Sequence, residues 1–133
     1  MRNASLLVLR IGMGAVILWF AQRQLSDPSA WIVYLPTWTQ SLPVSQIGFV
    51  YLNAWFELTF GIVMMIGFYT RTAALLLALH LLGIAYTIGY NATGVRDVGL
   101  SIALLAISLY GASHWSADEF FERNRNVVLK NSD

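Results

Sequence analysis

Apolar residues run through this chain in four long stretches, Ser5 to Leu25, Ser45 to Tyr69, Thr72 to Tyr90 and Val98 to Ser113, with short polar segments between them. A helix rises ~1.5 Å per residue and needs about 20 mostly apolar residues to cross the hydrocarbon of a bilayer. The pattern therefore predicts four membrane-spanning helices. Only Thr70-Arg71 separates the second stretch from the third, which forces an antiparallel hairpin. The longest connection, Ser26 to Val44, holds Asp27-Pro28, Pro36 and Pro43 together with Trp31, Tyr34 and Trp38. Proline opposes a long helix, and Trp and Tyr favour the headgroup level. This segment reads as a flap on the outer surface of the bundle. Asn91 to Asp97 reads as a polar loop whose Asp97 caps the fourth helix. Asn91-Ala92-Thr93 also matches a glycosylation acceptor, a pattern short enough to arise by chance. Beyond Gly111, His114 and Trp115 mark the inner interface. Ser116 to Glu119 fits a capping box, which predicts a short amphipathic surface helix.

The fold class that follows is all-α, an integral membrane four-helix bundle. Residues 1–113 form the membrane domain and residues 114–133 a cytoplasmic amphipathic tail. Composition agrees: the chain is 57% hydrophobic and 11% charged, and mean hydropathy is +0.60. A soluble domain carries about twice that share of charge. With the N-terminus inside, the cytoplasmic side holds Arg2, Arg71, Arg123, Arg125 and Lys130, against Arg23 and Arg96 outside. That imbalance predicts both termini in the cytoplasm of a cell with this protein in its inner (plasma) membrane. Arg10 interrupts the first stretch and no small-residue cleavage site follows, so that stretch reads as a retained anchor. A net charge of +1 gives no reason to expect a nucleic acid partner. The chain has no cysteine, which excludes a disulfide relay, thiol redox chemistry, a cysteine-held iron–sulfur cluster and haem attached through CxxCH. His80 is the sole histidine inside an apolar stretch, so this one chain cannot supply two histidines to a haem. No metal site and no covalent cofactor is expected.

Arg10, Glu57 and His80 are ionisable groups set well inside the stretches. At bilayer depth each costs several kcal/mol, on the order of 3, unless it is paired or faces a cavity. Helical spacing puts small and polar residues on one face of each span: Arg10, Gly14 and Ala21; Asn53, Glu57 and Gly61; His80, Gly83 and Thr87; Asp97, Ser101 and Ser108. Such faces turn inward in a membrane bundle. Glu57 and His80 fall near the midplane, and the long side chain of Arg10 is expected to reach Glu57 in an ion pair. Arg10, Asn53, Glu57, His80 and Thr87 thus form one candidate cluster, either a seat for a ligand head or a device that fixes helix register. A second candidate lies at the outer mouth: Arg23, Asp27, Tyr86, Tyr90, Arg96 and Asp97. There the arginines would hold a small anion, and Tyr90 and Trp31 would wall an aromatic head. Ordinary loop salt bridging is the alternative.

Leu25-x-Asp27-Pro28-x-x-Trp31, Glu57-x-x-x-Gly61, Gly67-x-x-x-Arg71, the span holding His80 and Arg96-Asp97-x-Gly99-Leu100, in this order, resemble the DoxX family. The resemblance runs from about Leu6 to Gly111. Arg10, Glu57, Gly61, Arg71, Arg96 and Asp97 match its motif positions. It implies a bacterial or archaeal four-helix membrane protein. The family takes its name from a subunit linked to a terminal oxidase and to thiosulfate:quinone oxidoreductase, and other members are associated with membrane oxidoreductase complexes and oxidative stress. The implied role is a membrane subunit of an oxidoreductase or respiratory complex, lining a quinone site with its Arg/Glu/His cluster. Catalysis would then occur only as part of such a complex, with a second membrane subunit or further copies of this chain as partners. Two alternatives stand beside it. One is a non-catalytic assembly subunit that docks another membrane protein through Trp19, Phe20, Trp55 and Phe56. The other is a small transporter, which the lack of a broken helix or inverted repeat disfavours.

Overall fold

Helices begin in this chain where a side chain takes up the first free amides. Ser45 caps α2 (Gln46–Ile66), accepting from the Gly48 amide, and Asn91 caps α4 (Ala92–Tyr110), accepting from the Gly94 amide. The remaining helices are α1 (Arg2–Ser26), α3 (Thr70–Ile88) and α5 (Ala117–Lys130). A computed structural model describes residues 2–111 and 116–130, so the interfacial positions expected for His114 and Trp115 fall outside the described residues. α2, α3 and α4 each stop at a glycine with positive φ: Gly67, Gly89 and Gly111.

α1 to α4 are each long and apolar enough to cross a membrane, and the chain is a multi-pass membrane protein. One boundary differs from expectation. The fourth helix starts at Ala92, because Asn91 is as good a cap as Asp97 and comes six residues earlier. The segment expected as a polar loop is the first turns of α4, and Asp97 is buried inside the helix.

The bundle consists of two tight hairpins, α1 on α2 and α3 on α4, with looser contact between α2 and α3. Ile17, Met64, Leu77 and Leu104 are fully buried at its centre. α3 buries Ala73, Ala74, Ala78 and Ala85, small residues that let a neighbouring backbone come close. The expected inward face of α3 is not packed against a neighbour at its loop end: Gly83 and Thr87 border an open cavity. The alanine face wins because close van der Waals packing, more than polarity, joins helices in lipid. At the turn between α3 and α4, a methyl group on Gly94 would collide with the Gly89 carbonyl oxygen. Gly94→Ala should therefore lower stability by about 1–3 kcal/mol, read as a lower thermal midpoint in detergent. Gly99→Ala, which meets nothing within 4 Å, is the control expected to be neutral or slightly stabilising.

Two close approaches fix the register of the first hairpin. A Cβ on Gly14 would strike Met65, and one on Gly61 would lie 3.2 Å from Ile17 and Leu18. Continuing that register sets Ser26 level with Asn53, so α2 runs on for roughly seven residues, ~10 Å, past the end of α1. Two short 3₁₀ helices, Pro28–Tyr34 and Thr37–Ser41, fold over this overhang. They form the expected flap, and the prolines explain why it is not a continuous helix. The end of the bundle bearing this flap and the α3–α4 turn is called the loop end below, and the opposite end the tail end.

At the tail end, Asp118 closes the amides that start α3. Its Oδ1 accepts from the Tyr69 amide at 2.7 Å, and its Oδ2 accepts from the amide and hydroxyl of Thr70, both at 3.0 Å. The Asp118 amide donates to the Gly67 carbonyl at 3.0 Å. Ser116 Oγ accepts from the Glu119 amide at 3.3 Å, as the capping sequence anticipates.

Candidate functional site

Beyond the packed centre the four helices diverge towards the loop end and enclose a cavity of about 1030 Å³ under the flap. Its floor is polar. Glu57 is 2% exposed, yet three side chains from three helices converge on its carboxylate. Gln24 Nε2 donates to Oε2 at 2.7 Å and Asn53 Nδ2 donates to Oε1 at 3.3 Å. Asn53 Nδ2 also donates to Gln24 Oε1 at 2.6 Å, closing a ring of three residues. His80 Nε2 stands 3.4 Å from Glu57 Oε1 but makes no hydrogen bond with it. A ligand atom seated beside the pair would find a donor or acceptor on each. The His80 ring lies 4.7 Å from that of Phe56, which fixes its plane.

The walls are mostly aromatic. Trp31 meets Phe20 edge-on at 6.0 Å and Tyr34 at 5.9 Å, so the flap and α1 share one aromatic wall. Trp38 meets Phe49 of α2 edge-on at 5.9 Å. On the α4 side, Arg96 pairs with Asp97 at 2.7–2.8 Å and lays its guanidinium 4.5 Å from the Phe20 ring centroid. This stack joins α4 to α1. Asp97 and Glu57 both line the cavity, so it holds two carboxyl groups.

The two clusters expected from sequence are thus largely one site. Asn53, Glu57, His80 and Thr87 line the cavity together with Arg23, Asp27, Arg96 and Asp97. Tyr86, on α3, and Tyr90, in the turn after it, do not join them: they are 91% and 100% exposed. Thr87 spends its hydroxyl on the Gly83 carbonyl at 3.0 Å. Arg10 is absent from the site as well, and the expected Arg10–Glu57 pair does not form. The α1–α2 register sets the two about twelve residues apart along the axis, ~18 Å, beyond any side chain's reach. Arg10 lies instead at the tail end, where a Cβ on Gly67 would be 2.6 Å from its Nη1.

Sequence reasoning missed Gln24. The signal was present: Arg10, Gly14, Ile17, Ala21 and Gln24 recur at three- and four-residue steps, so Gln24 continues the buried face of α1. The mouth arginines do not form a free anion seat, since Arg96 is committed to Asp97 and Phe20, while Arg23 lies 5.8 Å from the Trp19 ring.

At the hinge from α1 into the flap, Asp27 caps the first 3₁₀ helix. It accepts from the Ser29 hydroxyl at 2.6 Å and from the Ala30 amide at 3.4 Å. The Ser29 hydroxyl and then the Ala30 amide hold its carboxyl below the usual carboxylate range. Its folded-state pKa is depressed, so its contribution is complete above the ordinary carboxylate pKa. That contribution is lost as pH falls through the lowered value. The flap of the native protein should keep its Trp31 emission down through the normal carboxylate titration and shift only in stronger acid. Asp27→Ala should show the acid-like spectrum at neutral pH.

A family model described as DoxX matches residues 5–89. No curated protein and no solved structure matches the chain.

Proposed function

The chain belongs to the DoxX family, and from that premise we propose that it is a membrane subunit working beside an oxidoreductase, with a cavity that seats the head of a quinone or quinol. The observation carrying this reading is the floor of the cavity, where Glu57, His80, Gln24 and Asn53 converge under aromatic walls. Small-molecule pockets hold about 300–1,000 Å³ and are mainly apolar with a few convergent polar groups. This one fits that description.

The donor set fits the head group. A quinone carbonyl accepts hydrogen bonds, and a quinol hydroxyl donates one. His80 Nε2 can donate to the first, and the Glu57 carboxylate can accept from the second. Gln24 and Asn53 hold Glu57 in place through both of its oxygens, so its position does not depend on the ligand. Phe56 and Phe20 offer flat faces to a ring. A bound quinone would supply two-electron, two-proton chemistry, and the electrons come from a partner that carries a redox centre. Glu57 and His80 would hold and pass the protons.

Native purification in mild detergent should bring down an oxidoreductase subunit at fixed stoichiometry, together with enriched quinone. Purified protein in nanodiscs should bind a dimethoxybenzoquinone saturably, with a Kd on the order of micromolar. Glu57→Gln and His80→Ala should each weaken that binding by about tenfold or more, the loss of one hydrogen bond to a charged or buried partner. Absence of saturable binding, or binding indifferent to both substitutions, discards the quinone seat.

A further inference from the structure

The two flanks of the cavity are closed by different groups. On the α1–α4 flank the Arg96 guanidinium covers Phe20 and its pairing with Asp97 anchors it. Helix contact is sparse on both flanks, and sparser between α1 and α4 than along the seam between α2 and α3. Near the floor this seam is closed by Phe56 against His80. Towards the loop end the wall residues become Leu52 on α2 and Gly83 and Thr87 on α3, and all three are exposed although they line the cavity. A Cβ built on Gly83 meets nothing within 4 Å. The Thr87 hydroxyl donates back to its own helix at the Gly83 carbonyl, so it offers the seam no free donor. Leu79, 55% exposed, borders the same seam. Leucines, a glycine and a threonine thus form an apolar edge of the cavity on this flank, above its polar floor.

We propose that this α2–α3 seam is the passage of a hydrophobic tail. An amphipathic ligand enters sideways from the membrane, places its head on the floor and leaves its isoprenoid or alkyl chain lying across Gly83 into the lipid. This rests on the reading of the floor as a head-group seat, and names the class of ligand as tailed and membrane-dissolved. A water-soluble ligand entering under the flap would need no such seam.

The test uses the full chain in nanodiscs and a dimethoxybenzoquinone bearing a decyl tail with a photoreactive diazirine midway along it. Crosslinks mapped by mass spectrometry should fall on Leu52, Phe56, Gly83 and Thr87. Gly83→Trp, which fills the opening, should cut them by about tenfold or more, since several methylenes lose their buried path. Thr87→Trp is the second variant, in case the first folds poorly. Leu109→Trp, on the exposed side of α4, should leave them unchanged. In both seam variants affinity for the untailed head should fall much less than affinity for the tailed one. Crosslinks confined to α1, α4 or the flap, or seam labelling that Gly83→Trp and Thr87→Trp leave intact, overturn the proposal. Seam labelling that persists in Glu57→Gln and is not displaced by the untailed head would uphold the passage for alkyl chains while removing the head-group reading.

Discussion

Glu57→Leu should destabilise the protein by about 2–5 kcal/mol, the range for stripping the shared acceptor from a buried polar cluster. Gln24 and Asn53 would each lose an acceptor, and His80 would lose the carboxyl group beside it, with only an apolar side chain in exchange. Glu57→Gln keeps the shape and one acceptor oxygen, so it should fold with a smaller loss, about 1 kcal/mol. Thermal unfolding in a single detergent checks both. The double variant Glu57→Leu with Gln24→Leu should lose less than the sum of the two singles, because the second change removes a donor already stranded by the first. An unchanged midpoint for Glu57→Leu would mean that the amides find other acceptors and that the ring of three residues does not hold the loop end together.

Gly67→Ala should cost about 2–5 kcal/mol, the sum of a left-handed backbone position and an overpacked contact. Gly67 ends α2 at φ +81°, where a side chain is strained whatever the space. There is also no space: a Cβ there would lie 2.6 Å from Arg10 Nη1, 2.6 Å from Ser116 Cβ and 2.9 Å from Ser116 Cα. The serine atoms include backbone, so relief requires the start of α5 to move away from the turn. That movement would break the Asp118 bonds to Tyr69, Thr70 and Gly67 together. The variant should therefore show a lower unfolding midpoint and faster amide exchange at the start of α3, while Gly12→Ala, with nothing within 4 Å, should show neither. Normal exchange at Tyr69 and Thr70 in Gly67→Ala would show that α5 is not held there.

The spans were legible because lipid demands long apolar runs, and nothing else in a chain of this size produces four of them. The meeting of Glu57 and His80 was legible for a similar reason: each stands at the middle of its helix, and a tight turn ties those helices into a hairpin. Arg10 misled because depth was judged from its distance to the chain's start. Its true level is set by Gly14 against Met65 and Gly61 against Ile17, contacts between small and large residues that no charge pattern reveals. Gln24 was hidden by its place at the end of an apolar stretch, where a polar residue looks like part of the headgroup layer. Asp97 was misplaced because Asn91 offered an equally good cap, and the intervening Gly94 and Val95 tolerate helix once α3 packs beside them. Tyr86 and Tyr90 were grouped with the site by nearness in sequence, but the alanine face of α3 decides how that helix is turned.

The unequal ends of α1 and α2 have a consequence for the lipid. A bilayer of one hydrophobic thickness cannot match both helices when one stops ~10 Å short, and mismatch costs fractions of a kcal/mol per Å. The flap makes up the missing height: Val33, 78% exposed and not among the residues lining the cavity, gives it apolar outer surface. A thick membrane draws that surface down among the acyl chains, and a thin one leaves it among the headgroups. The roof of the cavity is therefore tied to membrane thickness, and a cell that lengthens or shortens its fatty acids changes the footing of this roof without touching the protein.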